Sequence, residues 1–132
     1  MGTWAVGSFE SDTALDWLTK VYESGDFSLV RAALTGDLER ADRSVAVTAI
    51  AAADLVACSL GHPPPEPKRR QLVEWTQKHS EVFTLELLKL ARNAVRTIKT
   101  KSDLRDAWTR RDGAVDPAWL ASIADLEKRL QS

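Results

Sequence analysis

The chain has 132 residues, a formal net charge of −1, 44% hydrophobic and 28% charged side chains, and one cysteine. Those figures exclude a disulfide-stapled scaffold and a disordered polyelectrolyte. They leave a chain long enough to bury roughly two-thirds of its unfolded surface in one domain.

Residues 1–11 form an irregular N-terminal strip that is expected to be ordered, because Gly2, Gly7 and Ser8 permit bends while Trp4 and Phe9 offer large apolar groups. Asp12 reads as the N-cap of a first helix with Leu15, Leu18, Val21 and Tyr22 at helical spacing, ended by Gly25. Asp26 caps a short second helix carrying Leu29, Val30, Ala33 and Leu34, and Gly36 stops it.

Asp42 or Ser44 opens a third helix over about 43–60, with Gly61 just past its end. Val45, Ala49, Ala52, Val56 and Leu60 line one side, and Val47, Ile50, Ala51 and Cys58 the other. A helix apolar all round belongs at the centre of a fold, and its alanines let neighbours approach closely.

The run 62–67, with prolines at four of its six positions, is a stiff loop. Lys68 to His79 reads as a fourth helix and Val82 to Lys99 as a fifth with an apolar stripe of Leu87, Ala91, Ala94, Val95 and Ile98. Ser102 caps a short sixth helix, Asp112-Gly113 turns the chain, and Asp116 caps a last helix with Pro117 in its first turn. The expected fold is all-α: a compact bundle of six to seven helices around the Ala-rich one, a single domain over 1–132.

Side chains for chemistry are sparse. His62 and His79 show no paired spacing and Cys58 stands alone, so no metal site is expected. Neither a Gly-rich phosphate loop nor a nucleophile elbow is present, and no cofactor or catalytic residue is assigned. Asp12 and Asp16 share a helix face and could pair as acid and base, but their place at a positive helix end explains them better.

Asp54 is the sole charge between Val45 and Leu60. A buried carboxylate must be paired or neutral, so it is expected to accept hydrogen bonds from the N-terminal segment, an indole N–H or an arginine. A functional carboxylate lining a small-molecule pocket is the alternative.

The net charge conceals a split. Residues 1–66 hold four basic and ten acidic side chains (net −6), and residues 67–132 hold fourteen and nine (net +5). The split makes either a bipolar surface for a charged partner or two halves that attract one another. Lys89, Arg92, Arg96 and Lys99 follow one helical face, and Lys101, Arg105, Arg110 and Arg111 extend it against Asp103 and Asp106. An acidic protein surface suits this stripe better than nucleic acid, since aromatic interleaving is slight and the overall charge is negative.

Met1-Gly2-Thr3-Trp4, Gly7-x-Phe9-x-x-Asp12 and Asp16-Trp17-Leu18 together resemble the opening of a bacterial family catalogued as domain of unknown function 4259. Ala51-Ala52-Ala53-Asp54 and the run Ser102 to Trp108 are similar to two further blocks of that family. The family usually has Gly-Thr-Gly where this chain has Ala5-Val6-Gly7. The resemblance implies a small, helical, bacterial, cytoplasmic protein and no reaction. It also directs attention to Trp4, Phe9, Asp12, Asp16, Trp17 and Asp54 as one constellation, with the N-terminal strip folded back over the central helix.

The lone cysteine and the absence of a basic, then apolar, opening run give a cytoplasmic location as the expectation, with no membrane span. The leading expectation for function is a non-enzymatic protein-binding domain, in the role of an inhibitor or immunity partner of a toxin, contacting through Lys89, Arg92, Arg96, Lys99, Lys101 and Arg105. A regulatory or enzyme-like domain with a pocket near Asp54 and a nucleic-acid accessory protein are the other two readings.

Overall fold

Helical periodicity and end signals translate directly into architecture. The computed structural model describes residues 12–24, 28–35, 38, 42–61, 69–78, 85–100, 103–109 and 111–130. Among them the chain forms seven helices: α1 (Asp12–Ser24), α2 (Ser28–Thr35), α3 (Arg43–Ser59), α4 (Arg69–Lys78), α5 (Leu85–Thr100), α6 (Asp103–Ala107) and α7 (Pro117–Arg129). The fold is all-α. The described residues contain no strand, only an isolated antiparallel bridge between Thr109 and Val115 where the chain turns between α6 and α7. At that turn Gly113 adopts φ +87°, a conformation that strains any residue with a Cβ.

The central helix is α3. Asp42 is its N-cap and accepts from the Val45 N–H at 2.9 Å, satisfying an otherwise orphaned donor. Leu60 closes it and Gly61, at φ +92°, takes the chain away in the left-handed conformation. Every side chain from Ala49 to Cys58 is buried, and α1, α2, α4, α5, α6 and α7 all pack on α3. Five of those ten buried residues are alanine, so the surrounding helices approach its backbone closely.

The outer helices are amphipathic. Helix α5 buries Leu87, Leu88, Ala91, Ala94, Val95 and Ile98 and exposes Lys89, Arg92 and Arg96. Helix α7 starts at Asp116, whose side chain accepts from the Ala118 N–H at 2.8 Å ahead of Pro117, and buries Trp119, Ile123 and Leu126. These buried faces join α3 in one continuous core.

Two local expectations are corrected. Asp12 is the first helical residue of α1 rather than its flanking cap; its exposed carboxylate sits in the first turn, where the helix end is positive. Val45, assigned to the apolar side of α3, is 44% exposed, because the first turn of that helix projects beyond the packing of its neighbours. Trp4, Phe9, Lys101, the 62–67 loop, both histidines and the proposed caps Asp26 and Ser102 lie outside the described residues.

Candidate functional site

Asp54 sits in the middle of α3 with its side chain 1% exposed. Its partner is Arg129, in the last turn of α7. Nη1 donates to Oδ1 at 2.5 Å and Nη2 to Oδ2 at 3.2 Å, a bidentate fork that holds both carboxylate oxygens. Arg129 Nε donates to Asp125 Oδ2 at 2.8 Å, so the guanidinium lies between a buried and an exposed acid. Burial disfavours the Arg129 charge, but the hydrogen bond and charge of Asp54, then those of Asp125, outweigh it and hold the guanidinium above its ordinary value. Of the three donors expected for Asp54, the structure supplies the arginine. With both oxygens engaged, Asp54 is a structural tie between α3 and α7.

Arg129 was missed at the sequence level. The available signal was its place beside Leu126 and Leu130 on the apolar flank of α7, four residues after Asp125. Nothing in the sequence linked it to a carboxylate 75 positions earlier.

The basic residues do not form one uniform surface. Arg92 Nε donates to the Leu130 carbonyl at 2.7 Å, closing the C-terminal end of α7 where helix carbonyls lack partners. Lys99 Nζ pairs with Glu127 Oε1 at 3.1 Å. Both side chains thus fasten α5 to α7. Lys89 and Arg96 are exposed, and their side chains have no ion-pair partner among the described residues. Arg105 is half-buried on α6. Another salt bridge, Arg31 to Glu86, joins α2 to α5.

An open cavity of about 390 Å³ lies between α1, α2 and α3. Trp17, Leu29, Ala33 and Val45 make its walls, with the hydroxyl-bearing Ser44 and Thr48 on the α3 side. Among the described residues its lining includes no titratable side chain, and Asp54 is not part of it. Asp12 and Asp16 are exposed on α1, the helix that carries Trp17 into the cavity wall.

Cys58 is buried beside Thr76, whose hydroxyl lies 3.7 Å from its sulfur and donates to the Leu72 carbonyl at 2.9 Å. The Tyr22 ring packs on Trp75 with centroids 5.8 Å apart. Burial, and then the nearby Cys58, push the Tyr22 phenol up to about 12. Among the described residues no cluster of three or more His, Cys, Asp or Glu is placed to hold a metal ion, and no helix is long and apolar enough to cross a membrane.

No curated protein and no solved structure matches the chain. A family model does: Domain of unknown function (DUF4259) matches residues 2–122, which takes in α1 to α6, the N-cap and first turn of α7, and the Asp54 block. By that match, the chain belongs to the DUF4259 family.

Proposed function

We propose that this chain is a bacterial, cytoplasmic, non-enzymatic domain that binds another protein through the basic face of α5. The observation that carries the reading is the exposed cationic array of Lys89, Arg92 and Arg96 on a helix whose other face is fully packed. The contacts of Arg92 and Lys99 to α7 hold the edge of that array in place, which lowers the entropy lost on binding. An acidic protein surface is the complementary partner, and opposite charge speeds encounter and fixes partner choice.

The finer form of this reading is an inhibitor or immunity role against a toxin. What supports it is the small helical scaffold, the opposed charge of the two halves of the sequence, and an interior carboxylate wholly engaged by an arginine. A pocket at Asp54 draws no support from a cavity that lies elsewhere.

The test uses Lys89→Glu/Arg96→Glu, since these two side chains can be reversed without breaking the contacts to α7. A stoichiometric protein that co-purifies with the native chain is expected to be lost from the variant while the melting temperature stays the same. Retention of that protein by the folded variant refutes the α5 surface. Recovery of nucleic acid in its place, with binding that collapses as salt is added, refutes the protein-binding reading.

A further inference from the structure

Among the described residues two large hydrophobic side chains are exposed, and they differ in kind. Val45, 44% exposed, lies on the wall of the open cavity between α1, α2 and α3. Leu85, 63% exposed, is the first residue of α5 and projects as a knob. The exposed cations Lys89, Arg92 and Arg96 follow it at helical spacing on the same face. The cavity has the opposite charge beside it. Helix α1, which carries Trp17 into the cavity wall, exposes Asp12, Asp16 and Glu23 against Lys20 alone. We infer that the basic face of α5 meets a second copy of this chain, with Leu85 of each copy seated in the cavity of the other.

Charge complementarity in register argues for this occupant. Lys89 and Arg96 stand two helical turns apart, about 10.5 Å along the axis, and so do Asp16 and Glu23. Neither pair has an ion-pair partner among the described residues, so both are available to each other across a contact. Lys89 set on Asp16 and Arg96 on Glu23 brings Leu85, one turn before Lys89, to the Trp17 end of α1. The leucine then leaves water together with the apolar walls it covers. Knob and cavity also border one helix. Arg31 of α2 pairs with Glu86, next to Leu85, while Leu29 and Ala33 of α2 line the cavity. Two chains can therefore exchange knobs within a single twofold contact, which closes and does not propagate. The inference rests on the reading of α5 as a binding face and names the partner; a foreign acidic protein competes with the second copy for that face.

The experiment is sedimentation velocity on the full chain at low salt, over a concentration series from micromolar to millimolar. The mass is expected to rise from one chain to two. Leu85→Asp, at an exposed position where an acid also suits the helix start, should weaken the dimer at least ten-fold with the melting temperature unchanged. Lys89→Glu/Arg96→Glu and Asp16→Lys/Glu23→Lys should each abolish it alone, and an equimolar mixture of the two should restore it, because each face again meets its opposite. A chain that stays monomeric throughout overturns the inference, as does a dimer that survives Leu85→Asp or a mixture that fails to recover. If the chain is monomeric yet Lys89→Glu/Arg96→Glu still loses a co-purifying protein, the α5 face stands and the second copy alone is refuted. If that protein is retained as well, both fall.

Discussion

Asp54 was legible as a problem before it had a solution. A carboxylate in the middle of an apolar helix needs a partner, and the sequence said so through the run from Val45 to Leu60. The solution depends on how α7 lies across α3, which no local pattern encodes. Truncating Arg129 to Ala leaves a buried charge uncompensated and should cost about 3–5 kcal/mol in urea or thermal unfolding. Asp54→Leu combined with Arg129→Met removes both charges and should recover most of that loss. A double variant no more stable than Arg129→Ala would show that the pair matters for packing rather than for charge. Tyr22 gives a second case. Its hydroxyl is buried with no hydrogen-bond partner among the described residues, so Tyr22→Phe should be neutral or stabilising by up to about 1 kcal/mol. The native phenol is raised to about 12 from an ordinary value of 10.0, so the folded chain holds its proton where the unfolded chain has lost it. That contribution is fully present below pH 10 and is lost as pH rises toward 12. Alkaline unfolding should therefore be shallower in Tyr22→Phe.

At the scale of elements, end signals were the most readable feature. Asp42, Gly61, Asp116 and Pro117 do what their chemistry predicts, because a cap acts through atoms within three residues of itself. Asp116→Ala should cost about 1 kcal/mol by freeing the Ala118 N–H, measurable as a lowered unfolding midpoint. The alanine content of α3 was equally informative, since close approach on several sides needs small side chains. Ala53, fully buried, has no room for growth, and Ala53→Leu should destabilise by about 1–3 kcal/mol through overpacking. The basic face of α5 was legible as a periodicity but not as a division of labour. Positions 89, 92, 96 and 99 look alike in sequence, yet α7 reaches only Arg92 and Lys99, through the Leu130 carbonyl and Glu127. Which members of a charged stripe are structural is decided by the neighbouring helix.

At the scale of the molecule, the charge split carries an expectation about which side chains pair. If the halves were held together by their opposite charge, acids of residues 1–66 should meet bases of residues 67–132. Among the described ion pairs only Asp54–Arg129 does so. Arg31–Glu86 crosses in the opposite sense, and Arg70–Glu74, Lys99–Glu127 and Arg129–Asp125 lie within the second half. Among the described residues, then, the expected attraction between the halves is represented by one buried pair, beside the shared apolar core around α3. Exposed pairs contribute little and are screened, whereas the buried pair is shielded from salt. Raising salt from about 0.1 M to about 1 M shortens the screening length from roughly 10 Å to roughly 3 Å. The unfolding midpoint should move by only about a degree or two, since a shift of 1 kcal/mol corresponds to roughly 4 °C at this size. Partner binding through Lys89 and Arg96 should weaken at least ten-fold over the same range. Calorimetry and a binding titration on one sample series separate the two effects. A melting temperature that collapses with salt would mean that charge between the halves holds the fold together, and the surface cations would then have a structural use.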